Sequence, residues 1–173
     1  MSRRSRVLLV VIVVVQALVI VGMATGRELT LRGDRDVTLQ TRPVDPRDLF
    51  RGDYVVLDYE VATLEMNQAE RLFLEPGDTV FVELVRGGDV WVAGRVERQP
   101  VDGAERVIRG NVAGAGAETV QVEYGIEQYF VPEGRGHVVE RAADVDVVVA
   151  IDSDGGAVIR HLIVDGEVWD PHG

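Results

Sequence analysis

Ser153 and His161 are the serine and histidine nearest each other in the chain, and together with a carboxylate they could form a hydroxyl nucleophile and its base. The intervening Asp154-Gly155-Gly156 is turn chemistry. It puts Ser153 at a hairpin tip and His161 several residues down the second strand. At about 3.3 Å per residue the two are outside hydrogen-bond reach. Asp152-Ser153-Asp154-Gly155 begins like a calcium loop but lacks the third ligand position and the distal Glu, so a plain turn is expected. Glu133, His137 and Glu140 offer ligand atoms at a spacing that suits no strong metal template. All 18 basic residues are Arg, and the chain has neither Lys nor Cys. That excludes a Ser–Lys dyad, a Schiff base, a thiol nucleophile, a thiolate zinc site and a disulfide. The 29 acids supply carboxylate pairs by abundance alone. No catalytic residue, metal or cofactor is called for.

Whatever the chain does, its first residues indicate where. Arg3, Arg4 and Arg6 precede an apolar run from Val7 to Met23 whose one polar residue is Gln16. About 20 apolar residues of helix cross a bilayer core. The run exceeds the usual signal-peptide core, and its best small-x-small site, Gly22-Met23-Ala24, is mediocre. An uncleaved anchor is therefore favoured over a cleaved signal. Arginines ahead of the span favour a cytoplasmic N-terminus. The expected organisation is a cytoplasmic stub and transmembrane anchor over 1–25, with an extracytoplasmic β domain over 26–173. The whole chain, at 173 residues, carries a formal charge of −11. Setting aside the three N-terminal arginines leaves fifteen against 29 acids, about −14, on the domain. Such a surface repels nucleic acid and anionic headgroups, so no nucleic-acid partner is expected. Solubility accounts for most of that acidity, and an acidic docking face for a basic partner is the other reading.

Beyond the anchor, short Val- and Ile-rich runs alternate with Gly, Asp and Pro. The fold expected is mainly β, an antiparallel sandwich or barrel-like domain. Strands are predicted at 28–32, 37–41, 54–61, 79–86, 89–98, 105–111, 119–124, 128–131, 144–152 and 157–164. Gly87-Gly88 predicts a two-residue hairpin in which Leu84 opposes Trp91 and Val82 opposes Ala93. Both faces of that hairpin are largely apolar, which suggests a central position. A tight turn is expected at 153–156 and another at Asp165-Gly166. Asp45–Phe50 could form one helical turn and Leu64–Leu72 a short helix. Gly114-Ala115-Gly116 reads as a flexible loop. Gly-Asp recurs before Val-rich runs at 52, 77 and 88, which is turn chemistry leading into a strand.

Gly52-Asp53-Tyr54-Val55-Val56-Leu57-Asp58-Tyr59 matches G-D-Y-x-x-L-x-Y in full. With the preceding 43–51 and the later Tyr124-Gly125-Ile126-Glu127-Gln128-Tyr129-Phe130-Val131-Pro132-Glu133-Gly134, the chain resembles the GDYXXLXY family of bacterial membrane-anchored proteins. That resemblance covers most of the chain. It implies an extracytoplasmic protein of undefined activity with an integral membrane protein as a partner. It carries over no catalytic residues. On a strand, Val55, Leu57 and Tyr59 share one face, while Tyr54, Val56 and Asp58 share the other. The motif residues Gly52, Asp53, Tyr54, Leu57 and Tyr59 are structural or interaction candidates. So are Tyr124, Glu127, Tyr129, Glu133 and Gly134 of the second stretch. The leading expectation is an accessory module for an integral membrane protein. The alternative is an envelope ligand-binding or hydrolytic domain using carboxylates and Tyr near Tyr54, in a groove beside Tyr54 rimmed by Asp45, Arg47, Asp48 and Asp53. An exposed aromatic patch or open strand edge favours the first, and a pocket with acids of perturbed pKa favours the second.

Overall fold

The computed structural model describes residues 10–19, 21, 31, 33, 35–42, 54–65, 73–116, 118–132 and 134–171. Residues 10–19 and 21 are helical, and their Val, Ile and Leu side chains are exposed. Among the described residues no helix is long and apolar enough to cross a membrane. The rest of the expected 7–23 span, and the expected boundary at 25/26, lie outside the described residues. The 45–50 turn also lies outside them. So does the 28–32 strand, apart from Leu31, which is helical.

The body is mainly antiparallel β, with sheets that wrap into a nearly closed, barrel-like wall. One sheet has the order β1-β9-β10-β11, with β1 at Asp36–Gln40, β9 at Val145–Ile151, β10 at Ala157–Val164 and β11 at Glu167–Trp169. The largest sheet has the order β3-β7-β6-β4-β5. Its strands are β3 (Thr63–Glu65), β4 (Thr79–Arg86), β5 (Trp91–Glu97), β6 (Arg106–Ala115) and β7 (Thr119–Glu123). The third is a ribbon of β2 (Tyr54–Val56) and β8 (Gln128–Phe130). Alternation explains the core. Val37 and Leu39, then Val80, Val82 and Leu84, then Val120 and Val122 turn inward at period two and are buried. Fully burying such a side chain stabilises by about 1.5–3 kcal/mol.

Two turns show how short signals close the wall. The Asp152 carboxylate accepts the N–H groups of Asp154 and Gly156, each at 2.8 Å. This is the plain turn expected, with its carboxylate already committed to backbone. Gly155, at φ +81°, offers its carbonyl to the Arg109 N–H at 2.8 Å, joining the β9–β10 turn to β6. The Asp165-Gly166 turn joins β10 to β11 as expected.

Elsewhere the expectations need correction. The β4–β5 loop runs through residues 87–90, closed by the Gly87 N–H on the Val90 carbonyl. Leu84 therefore opposes Ala93, and Arg86 opposes Trp91. Near the turn the shift is two residues, which leaves the same side chains on the core face; beyond a bulge between Val82 and Leu84 it is three, so Val82 opposes Val96 rather than Ala93. The hairpin is not central: among the described residues β5 is the edge of its sheet, and β4, between β5 and β6, is buried on one face. Glu83 on the other face pairs with Arg95 at 2.7 Å. Gly114 and Ala115 belong to β6 rather than a loop, and Leu64 and Glu65 to β3 rather than a helix. Residues 66–72 of that expected helix lie outside the described residues. The expected 54–61 strand stops at Val56, and Glu60–Ala62 form a 3-10 turn. A helix unseen in the sequence, α1, spans Gly136–Arg141.

Candidate functional site

The ribbon brings the two singled-out stretches together. Tyr54 pairs with Phe130, Val55 with Tyr129 and Val56 with Gln128. The Leu57 N–H continues the ladder onto the Glu127 carbonyl at 2.8 Å. Val55, Leu57 and Tyr59 are buried, while Tyr54 and Val56 are exposed, as period two requires. The tyrosines divide by role. Tyr59 donates its hydroxyl to the Ile126 carbonyl at 2.8 Å, and Tyr124 donates to the Val61 carbonyl at 2.6 Å. Each stretch thus holds the other's backbone through a buried phenol, a reciprocal clamp. Burial foremost, then the nearby Glu127 charge, holds both phenols far above their usual pKa. Glu127 itself caps the local turn by accepting the Tyr124 N–H.

The opposite face of the ribbon is aromatic and open. Tyr54 is 48% exposed and Phe130 58%, with ring centroids 5.6 Å apart, edge to face. Tyr129 faces Trp169 at 6.4 Å, and partial burial, then Asp170, raises its pKa. Beside the ribbon lies a groove of about 250 Å³. It is lined by Gln40, Thr41 and Arg42, by Val55–Glu60 without Tyr59, and by Val139 with Ala142–Val145.

A family model described as GDYXXLXY protein matches residues 16–162, a span that includes both Tyr59 and Tyr124. The chain belongs to the GDYXXLXY family. No curated protein and no solved structure matches it.

In this GDYXXLXY chain, then, Tyr59, Leu57 and Tyr124 are the interior of the site and Tyr54 its surface. Tyr129 and Glu127 are half-exposed, and Gly134, at φ +77°, shapes the turn into α1. Gly52, Asp53 and Glu133 lie outside the described residues. His137 caps that turn by contacting the Gly134 carbonyl through Nδ1. Among the described residues no group of three or more His, Asp or Glu could hold a metal. The Gly-Asp pair at 77–78 is turn chemistry, with Gly77 at φ +94° and the Asp78 carboxylate accepting the Glu75 N–H. The sequence led to an expected groove beside Tyr54, but its expected rim, Asp45, Arg47, Asp48 and Asp53, lies outside the described residues; Asp146 was not foreseen. Asp146 carries a buried carboxylate oxygen without a hydrogen-bond partner. Burial, then the charges of Asp144 and Glu60, raise its pKa. A raised folded-state pKa favours the protonated form. Its stabilising contribution is complete below the ordinary carboxylate range and lost as pH rises through the folded value. Asp146→Asn is therefore expected to stabilise the protein at pH 7. The gain shrinks as pH falls through the carboxylate range. Thermal melts of both proteins between pH 3 and 7 check this, and a gain independent of pH contradicts it.

Proposed function

We propose that this GDYXXLXY protein is a membrane-anchored, extracytoplasmic accessory module that binds an integral membrane protein through the Tyr54–Phe130 face. The observation that carries the reading is the exposed aromatic pair on a ribbon fastened from below by two buried phenols. Large apolar side chains left open on a rigid support are what interfaces recruit, and aromatic rings dominate interface energetics. The 7–23 apolar run supports attachment to the membrane. The hydrolytic alternative calls for two or more acids of perturbed pKa in a pocket; Asp146 has a raised pKa but is not among the residues that line the groove, and the Tyr59 and Tyr124 hydroxyls are committed to backbone carbonyls.

Tyr54→Ala tests the reading. The side chain is half exposed, so stability stays within roughly 0.5 kcal/mol of wild type. Crosslinking in native membranes followed by affinity capture then compares the two at equal abundance. An integral membrane protein recovered with wild type and lost with Tyr54→Ala is the expected result. Equal recovery with both places the interface elsewhere.

A further inference from the structure

Phe73 departs from ordinary practice twice. Its ring is 82% exposed, the most of any large apolar side chain among the described residues. Its backbone, at φ +47°, lies in the left-handed region, which a bulky residue rarely adopts. Strain of this kind persists only where the surroundings over-determine it, and it collects at binding and functional sites. Here a polar brace does so. Arg98 Nη2 donates to the Phe73 carbonyl at 2.9 Å and to Asp78 Oδ2 at 2.8 Å. The same Asp78 oxygen accepts the Glu75 N–H at 3.0 Å. Leu74, the next residue, packs against the core. The brace and Leu74 hold the backbone, and the ring is what they present to the surroundings.

Position in the fold says what the ring meets. Arg98 directly follows β5, and two residues on, Pro100 and Val101 line a cavity of about 190 Å³ together with Arg35. β1 begins at Asp36, so Arg35 is where the chain enters the wall from the 7–23 apolar run. Phe73 and that entry point therefore share one end of the wall. Twelve residues, 24–35, connect the run to β1, which reaches at most about 40 Å. From Asp36 the chain follows β1 to the Thr41–Tyr59 bridge, about 17 Å at 3.3 Å per residue. The bridge is antiparallel, so β2 and the Tyr54–Phe130 face lie farther along in the same direction. We infer that Phe73 is a lipid-contact residue, its ring seated in the interfacial zone of the bilayer that holds the anchor. This inference rests on the membrane-anchored reading above. Burying one Phe ring favours the seated orientation roughly ten- to hundredfold. That is too little to hold a free domain at a membrane, and enough to orient one that its own chain already tethers. Uncharged headgroups are the favoured surface, because a domain of about −14 repels anionic ones. Phe73 at one end and Tyr54–Phe130 toward the other then give the domain a lipid side and a partner side.

The test uses the full chain in phosphatidylcholine nanodiscs. The sequence has no Cys, so one introduced Cys carries a nitrobenzoxadiazole label at a chosen position. Phe73→Cys reports on the proposed contact. Val168→Cys is the control, since Val168 is 68% exposed and is linked across the sheet, through Ile163 and Asp146, to Gln40 at the far end of β1. The expected result is that nitroxide-bearing phosphatidylcholine quenches the label at 73 by roughly half and leaves the label at 168 unchanged. Phe73→Gly, without a label, is expected to keep its Tm, because glycine takes the left-handed backbone without strain and no core packing is lost. A label at 73 that escapes quenching, equal quenching at both positions, or a Tm lowered by roughly 4 °C or more in Phe73→Gly overturns the inference. So does a label at 73 that is shielded in native membranes but not in lipid alone, which assigns Phe73 to the partner protein. Capture from native membranes separates this inference from the accessory reading. A partner lost with Tyr54→Ala while the label at 73 stays unquenched sinks the lipid contact and leaves the accessory role. A quenched label with no partner captured sinks the accessory role and leaves the lipid contact.

Discussion

Tyr59→Ala lowers stability by about 3–5 kcal/mol, the cost of emptying a fully buried aromatic site. Tyr59 has no measurable exposure and touches both halves of the clamp. The loss is a large share of the roughly 5–15 kcal/mol that holds a typical domain together. Tyr59→Phe isolates the hydroxyl. It costs about 1 kcal/mol, because the Ile126 carbonyl loses its donor while the ring remains. Urea unfolding of the three proteins measures both, and a Phe variant as unstable as the Ala variant contradicts the division. Tyr124→Phe removes the reciprocal bond, and the double Phe variant departs from additivity because the two bonds fasten the same pair of segments. Alkali gives an independent readout. Both phenols have raised folded-state pKa values, so their contribution is complete below the unfolded value near 10 and is lost as pH climbs past it. Stability therefore falls above about pH 10, and the Phe variants flatten that fall.

Gly110→Ala is expected to cost roughly 3 kcal/mol, at the upper end of what overpacking does. Gly110 sits on β6 opposite Val80. A Cβ there collides with Val122 Cγ1 and lies 2.8 Å from Tyr124 Cδ1 and 2.9 Å from the Glu123 carbonyl oxygen. Backbone on one side and a hydrogen-bonded ring on the other leave little room to shift. The glycine lets the Tyr124 ring lie against β6 while its hydroxyl reaches Val61. At about 2–4 °C per kcal/mol for a chain of this size, a melt shows a fall of roughly 6–12 °C. A fall under 2 °C means that the ring can move aside, and the clamp is then looser than its geometry suggests. Gly114→Ala is the matched control, since its Cβ meets nothing within 4 Å.

The β class, most strand positions and the two faces of the motif were legible because they depend on a period-two pattern that each strand carries within itself. Register was less legible. Gly87-Gly88 announces a turn, but whether two or four residues make it depends on Val90 closing onto Gly87. The 3-10 turn at Glu60–Ala62 reads as strand from composition, since Val61 is β-prone and its burial is satisfied either way. α1 was hidden behind Gly136 and two valines, residues of poor helix propensity held by tertiary contact. In the site, the spacing of Tyr54 and Tyr59 gave opposite faces without revealing that Tyr59 and Tyr124 fasten each other's backbones. That exchange spans more than sixty residues, and nothing local encodes it. A groove near Tyr54 was expected, but its walls from β1 and the α1–β9 connection were not, since those segments are far from the motif in the chain.

The clamp and the β1–β9 pairing also order events in time. Thr41 finds its partner carbonyl 104 residues later, and Tyr59 finds its own 67 residues later. Non-local pairings of this kind are slow, because the loop must close before any contact rewards it. Until Val145 is synthesised, β1 has no strand to pair with, and until Ile126 is synthesised the Tyr59 hydroxyl has no acceptor. The β1 segment and the motif therefore stay unpaired through most of synthesis, while the local β4–β7 pairings can form earlier, and the waiting segments are open to chaperones and proteases. Truncation after β8 would leave the aromatic ribbon formed but the wall open, and quality control would meet a chain whose identifying motif is present and whose fold is not.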